Sequence, residues 1–385
     1  MKYREFGSIK DKVSVLGFGC MRLPTTDDNS AHIDEEKAFE MLSYAKEHGV
    51  NYFDTAYGYH SGESERFVGR FFQKFGGRTD VHVATKLPSW LVKTHDDIDR
   101  LFSEQLEKLQ MDYVDYYLLH AVNKEHWENY KENKIFDWVE KALADGRIRQ
   151  IGFSFHDENS VFTDIIDSYH WDFTQVQYNY MDIENQAGTK GVQHAGAKDV
   201  SVVVMEPILG GRLANPPKEI AALWETSAVK RSPVDWALQW VWNQPEVKVV
   251  LSGMSTLDQV KENVAIADRS SIGVLNADEL KLYDQVRQAY KELSPIPCTN
   301  CQYCLPCTVG ITIPRLFGMY NEARMYGTLD DIRGWYKHVE ADKQASACID
   351  CEECEPKCPQ HIVISDWMVK VDAVMMGGKS FNEVM

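Results

Sequence analysis

The chain has 385 residues, 44% hydrophobic and 26% charged, with a formal net charge of −17, enough for one barrel-sized domain plus an appendage around an ordinary buried core. The acid excess argues against nucleic acid, whose phosphates it would repel, and leaves room for a basic redox partner. No run approaches the ~20 apolar residues a bilayer span needs, and Met1–Lys12 lacks the apolar stretch of a signal peptide, so a cytoplasmic location is expected.

In chain order, eight β-branched or aromatic runs predict strands: Val13–Phe18, Asn51–Ala56, Val81–Leu87, Tyr113–His120, Ile148–Phe155, Phe173–Tyr180, Ser201–Ile208 and Val247–Met254. Charged segments with helical spacing separate them. In Glu35–His48, Ala38, Met41, Leu42 and Ala45 share one face, Asp34 is placed to cap the start, and Gly49 to end it in the left-handed conformation. Ile135–Asp145 repeats the design and Gly146 stops it.

Strands alternating with helices imply a parallel sheet with crossover connections, and eight of them predict a closed (β/α)8 barrel. A doubly wound sheet would want a glycine-rich phosphate turn after the first strand. Gly17-Phe18-Gly19 does not complete one, because Arg22 stands where the third glycine belongs. Asn276–Glu292 predicts one more helix, and Pro295 and Pro297 mark a boundary. The expected domains are 1–293 and 294–385.

Barrel enzymes carry their chemistry at the carboxyl ends of the strands. Asp54 lies near the end of the second predicted strand, Lys86 near the end of the third, and His120 closes the fourth. A lysine ending an apolar strand is costly to bury without a counter-charge, and Asp54 can supply one. Alone, each residue is equally compatible with a structural role; convergence on one rim is what points to catalysis.

Phe53-Asp54-Thr55-Ala56, then Tyr59 and Gly62-Glu63-Ser64-Glu65, followed by Thr85-Lys86 and Leu119-His120, resemble the signature of the aldo-keto reductase family over residues 1 to 293. The resemblance implies a nicotinamide-dependent carbonyl reductase with Tyr59 as proton donor, Lys86 and Asp54 tuning it, and His120 orienting the substrate. Tyr57 is a local rival, but spacing from Asp54 favours Tyr59. His60, where the family has glycine, is expected to be solvated. A free phenol, with a pKa of about 10, is a reluctant acid, and a neighbouring ammonium favours the phenolate.

The resemblance also implies a dinucleotide site. Ser154, Gln175 and Gln177 match positions that hold the nicotinamide amide, with Phe155 in place of a common asparagine and Met205 in place of an aromatic platform. Pro207, Leu209 and Gly210 fall in a loop resembling one that covers the pyrophosphate. Ser252, Gly253 and Ser255 lead into a helix carrying Gln259, Glu262 and Asn263, whose start suits a phosphate. Gly253 and Gln259 replace the lysine and arginine that grip the 2′-phosphate in many relatives. NADP is the expected cofactor, with NAD the alternative. Trp90, Trp127, Tyr57 and His156 are expected to border the substrate, and Cys20 to be a buried small residue.

Eight of the nine cysteines lie between Cys298 and Cys358. In a reducing compartment such density reads as metal ligation. Cys348-x2-Cys351-x2-Cys354-x3-Cys358-Pro359 has the spacing of bacterial ferredoxins, and Cys298-x2-Cys301-x2-Cys304-x2-Cys307 is a shortened version. By analogy with two-cluster ferredoxins, Cys298, Cys301, Cys304 and Cys358 would hold one [4Fe–4S] cluster, and Cys348, Cys351, Cys354 and Cys307 the second. Zinc is the alternative for paired CxxC steps. Residues 315–343 resemble the polar helical insert of an α-helical ferredoxin, giving a mostly helical second domain.

The leading reading is therefore a reductase of small-molecule carbonyls carrying two [4Fe–4S] clusters that stiffen or dock the second domain, or relay electrons to a partner protein. The reading from another class is a nicotinamide-binding redox sensor or electron-transfer subunit.

Overall fold

A computed structural model describes residues 1–384 and divides them into two compact units: Met1–Gly210 with Val234–Asn276, and Gly211–Pro233 with the described residues from Ala277 onward. In the first unit, β1 (Tyr3–Phe6) and β2 (Asp11–Ser14) form an antiparallel hairpin. The barrel strands are β3 (Leu16–Gly19), β4 (Tyr52–Asp54), β5 (His82–Leu87), β6 (Val114–Val122), β7 (Ile148–Phe155), β8 (Phe173–Gln177), β9 (Ser201–Met205) and β10 (Val247–Ser252). They close in the order β10-β3-β4-β5-β6-β7-β8-β9, every neighbour pair parallel. The expected (β/α)8 barrel is the observed fold.

Boundaries differ in instructive ways. The first predicted strand, Val13–Phe18, is two strands in two sheets, because Ser14 ends the hairpin and Leu16 begins the barrel. The hairpin itself was not anticipated. Its Phe6 sits with ring centroids 4.8 Å from Tyr116, 5.2 Å from Phe173 and 5.9 Å from Tyr52, so it closes the amino-terminal end of the barrel with an apolar plug. That leaves the carboxyl ends of the strands as the accessible mouth. The helix Glu35–Glu47 has Asp34 as its cap, accepting from the Lys37 N–H, and Gly49 follows with φ +90°.

In the second unit, helix Lys218–Trp224 packs against helix Ala277–Glu292, with Trp224 and Tyr283 edge to face at 5.0 Å. Compactness therefore divides the chain elsewhere than at 293/294. Beyond Pro297, helices Ile313–Tyr326, Leu329–Tyr336 and Ile364–Met375 bury Leu316, Phe317, Tyr320, Tyr336, Met368 and Val371 in a core against which the cysteine loops lie. Among the described residues, no helix is long and apolar enough to cross a membrane.

Candidate active site and cysteine module

Each candidate at the barrel mouth is placed by strand geometry. Asp54 ends β4, Lys86 stands one residue before the end of β5, and His120 lies two before the end of β6. The Lys86 Nζ donates to Asp54 Oδ1 at 2.7 Å and to the Thr55 carbonyl at 2.7 Å. It also lies 4.8 Å from the centroid of the Tyr59 ring. Tyr59 meets His120 edge on, with centroids 6.1 Å apart, and Trp90 lies 5.2 Å from His120 on another side. The four residues of the signature therefore come together.

The electrostatics follow from burial. Removal from water by itself lowers the Lys86 ammonium, but Asp54 and Tyr59 outweigh it and hold it above its ordinary value. Burial raises the Tyr59 phenol above its ordinary value; the charge of Lys86 and their hydrogen bond pull it back only in part. The expected activation by the lysine is present, yet it is the smaller effect. His120 is driven well below its ordinary value by burial, with Lys86, His156 and His126 adding to it, so it is neutral at physiological pH.

Beneath Lys86 lies a buried polar layer. Gln105 Nε2 donates to the Lys86 carbonyl at 2.9 Å and to Glu65 Oε1 at 2.7 Å. Thr85 Oγ1 also donates to Glu65, at 2.6 Å, and the Tyr117 hydroxyl donates to Gln105 Oε1 at 2.7 Å. Gln105 went unnoticed in the sequence. The available signal was a glutamine on a helical face otherwise made of Ile98, Leu101, Phe102 and Leu109.

Two expectations need correction. His60 is buried rather than solvated: its ring bonds the Ser30 carbonyl through Nδ1 at 2.7 Å and accepts the Leu23 N–H on Nε2 at 3.1 Å. It ties the tyrosine loop to the segment after β3, and its φ of 51° is left-handed, where the family carries glycine. Trp127 is buried against Phe136 and Trp171 and so packs within the fold. Tyr57 donates to Glu104 at 3.0 Å, which occupies the rival phenol. Cys20 is fully buried, as expected.

Of the dinucleotide candidates, Ser154 pairs with Gln175 across β7 and β8, and its Oγ accepts the Ala121 N–H at 2.7 Å. Gln175 Oε1 is buried with no hydrogen-bond partner, and its Nε2 reaches only the Met205 sulfur at 3.7 Å. An orphaned amide oxygen at this depth fits a carboxamide ligand. Gln177 is committed elsewhere, donating to Asp182 at 2.9 Å and accepting from Gln186 at 2.8 Å. Pro207 and Leu209 are buried in a turn in which Glu206, Leu209 and Gly210 all have positive φ. Asn263 Nδ2 donates to Ser252 Oγ at 2.9 Å, and Gln259 Oε1 accepts the Ser255 N–H at 2.8 Å. Thr256 caps the helix Leu257–Ala267 that follows, on which Glu262 is exposed.

In the cysteine module, a small cavity is lined by Cys298, Cys301, Cys304 and Cys358, and closed by Ile313, Phe317, Ile362 and Ile364. Four thiols around an apolar-walled space fit a [4Fe–4S] cluster. The two runs share a backbone: Asn300 and Gln302 in the first, Asp350 and Glu352 in the second, all have φ between 54° and 64°. These left-handed residues sit at matching places between successive cysteines. Cys354, pushed up to about 11 chiefly by burial, also feels Cys304 and Cys307. Thr308 Oγ1 lies 3.7 Å from Cys351 Sγ, so the end of the first run lies against the second.

Residues 15–288 match the model of the aldo/keto reductase family. The chain belongs to that family. It is accordingly an NAD(P)-dependent oxidoreductase acting on small molecules. Residues 297–363 match the 4Fe-4S dicluster domain. The chain is 26% identical over 314 residues to the L-galactose dehydrogenase of Arabidopsis thaliana, covering 76% of this chain and 97% of that one. It is 28% identical over 213 residues to the aldo-keto reductase yakc [NADP(+)] of Schizosaccharomyces pombe, covering 53% and 60%. Among solved structures, the holo form of aldo-keto reductase AKR11C1 from Bacillus halodurans superimposes with a TM-score of 0.62 at 29% identity, covering 74% of this chain and 96% of that one.

Proposed function

We propose that this enzyme reduces an aldehyde, ketone or sugar-like carbonyl with NADPH, or runs the reverse oxidation, with Tyr59 as the proton donor. The observation that carries the reading is the meeting of Tyr59, Lys86, Asp54 and His120 around one buried ammonium. When bound, the nicotinamide supplies the hydride. Tyr59 gives its proton to the alkoxide that forms, and the Lys86 ammonium stabilises the phenolate left behind. Asp54 holds Lys86 charged and in place. Neutral His120 offers a ring nitrogen to the substrate oxygen without competing as an acid. Ser154 and Gln175 would hold the carboxamide, with Gln177 held back by its own partners. Pro207, Leu209, Gly210, Ser252, Gly253, Ser255, Gln259, Glu262 and Asn263 would line the phosphate and adenosine end.

NADPH is preferred to NADH by the family's habit and by the NADP(+) for which the fission-yeast relative is named. A sugar-like substrate draws support from the plant L-galactose dehydrogenase. The reductase part is taken as residues 1–293 and the iron–sulfur part as 294–385, supported by the two matched segments.

Two [4Fe–4S] clusters complete the proposal, the first on Cys298, Cys301, Cys304 and Cys358, the second on Cys348, Cys351, Cys354 and Cys307. Iron–sulfur is preferred to zinc because three cysteines in steps of two residues, followed by Cys358-Pro359, have ferredoxin spacing, and the match to the 4Fe-4S dicluster domain supports it. The clusters stiffen the module and help it dock, since a hydride moves two electrons and the chain has no flavin motif to split them. The enzyme works in the cytoplasm and binds neither membrane nor nucleic acid. The test is anaerobic purification with a visible spectrum and iron count, then a carbonyl screen with both dinucleotides on wild type and Tyr59→Phe. A Tyr59→Phe enzyme with undiminished turnover sinks the reading, while a sensor would keep its function through that change.

A further inference from the structure

Directly after His120, β6 breaks its pairing with β7. Leu119 pairs with Phe153 and Val122 with Phe155, so β6 advances three residues where β7 advances two. The extra residue makes a β-bulge, a device that re-aims side chains beside active sites and is rare between parallel strands. Ala121 occupies it with φ +48°. In that left-handed conformation a Cβ crowds the following carbonyl, so an alanine stays there only where its surroundings enforce it.

The enforcement comes from Ser89, Ser154 and His126. Ser89 Oγ donates to the His120 carbonyl, and the Tyr130 hydroxyl meets that Oγ at 2.7 Å. Ser154 Oγ accepts the Ala121 N–H at 2.7 Å. Both contacts fall on the peptide unit that joins His120 to Ala121. The next peptide unit is held by His126, whose Nδ1 lies 2.8 Å from the Ala121 carbonyl. A carbonyl only accepts, so Nδ1 carries the proton and the imidazole is the donor. The ring reaches back because its helix starts at once: Asn123 caps Lys124–Glu132 and accepts the His126 N–H at 2.8 Å.

The consequence falls on His120. Tyr116 and Leu118 belong to the apolar cluster inside the barrel, and strand alternation turns His120 the same way. How its ring then meets Tyr59 depends on the backbone just beyond it, where alternation ends. We propose that His126 is a positioning residue for His120, its Nδ1–H locking the left-handed bulge that aims the imidazole at the substrate oxygen. This rests on the orienting role proposed for His120 above.

The test is a double-mutant cycle on the intact, cluster-loaded protein. His126→Ala should bind NADPH within about 3-fold of wild type, yet lose about 10- to 100-fold in kcat/KM for the best carbonyl, the cost of a displaced reacting group. His126→Asn, whose amide nitrogen sits where Nδ1 does, should lose less. Glycine adopts φ +48° without strain and needs no lock. The same His126→Ala change made in an Ala121→Gly chain should therefore cost only about 3-fold or less. An equal loss in both backgrounds would assign His126 to packing alone and overturn the inference. A crystal structure of His126→Ala decides the point without turnover: Ala121 should leave the left-handed region and the His120 ring should turn from Tyr59. An unchanged bulge in that variant overturns the inference. A wild type that turns over no carbonyl defeats the reductase reading, and the φ of Ala121 in the variant still decides whether His126 holds the bulge.

Discussion

The Lys86 ammonium lies 2.7 Å from Asp54 Oδ1, with side chains 0% and 3% exposed. In water such a pair contributes little. Here neither charge has solvent to fall back on, so each is tolerated only because the other is present. The same ammonium faces the Tyr59 ring, so the structural pair and the proposed proton donor share one charge.

Asp54→Asn is therefore expected to destabilise the barrel by about 3–5 kcal/mol, the cost of a buried cation without its counter-charge. Adding Lys86→Met should recover much of that stability while leaving the enzyme inactive. Urea denaturation followed by intrinsic fluorescence, beside turnover of the same samples, separates the two effects.

Tyr59→Phe should keep the fold and dinucleotide binding and lose turnover by about 100- to 10,000-fold, the usual contribution of a positioned general acid. Steady-state kinetics with the best carbonyl from the screen would read it as a fall in kcat with little change in cofactor affinity.

The pH profile follows from two directions of shift. The Tyr59 phenol lies above its ordinary 10.0, so the proton needed for reduction is present across the neutral range and is lost only at higher pH. The reverse oxidation needs the phenolate and should accelerate as pH rises. His120 lies well below its ordinary 6.5, so neither direction should show a break near that value. Initial rates in both directions from mildly acidic to alkaline pH check this, and a histidine-like break near neutrality would contradict it.

His60→Ala removes both the Ser30 and Leu23 contacts and should cost about 1–3 kcal/mol, since buried partners are left unsatisfied. His60→Asn accepts the left-handed backbone but is too short to span the two groups, so it should fall between. Thermal unfolding reports the stability. KM and kcat report whether the loosened loop still presents Tyr59.

For the cysteine module, Cys358→Ala and Cys301→Ala should remove the same cluster, and Cys307→Ala and Cys351→Ala the other. Each single variant should lose about half the iron of the wild type, as expected when each run lends its last cysteine to the other cluster. Iron analysis with low-temperature EPR of the reduced protein distinguishes this from runs that each hold their own cluster. In that case Cys358→Ala would match Cys351→Ala.

Much of this molecule was legible from spacing alone. Alternating strands and helices implied the barrel, because eight parallel strands with crossovers have few other ways to cover both faces. Asp54, Lys86 and His120 could be named because strand ends in such barrels share one rim, and the cysteine runs because thiolate spacing is set by the body they wrap. The hairpin under the barrel was not legible, since Val13–Phe18 is one apolar run whether it serves one sheet or two.

Tertiary structure alone decided the rest, for one reason: burial and charge balance depend on neighbours distant in sequence. His60 reads as a surface residue until Ser30 and Leu23 close on it. Gln105 is an ordinary helical glutamine until Glu65, Tyr117 and the Lys86 carbonyl surround it. Lys86 was expected to lower the Tyr59 phenol, and only the depth of the pocket shows burial prevailing. Sequence by itself determined which chemical groups are available and roughly where each strand delivers them. Packing determined their protonation and partners, because both are set by the water that folding removes.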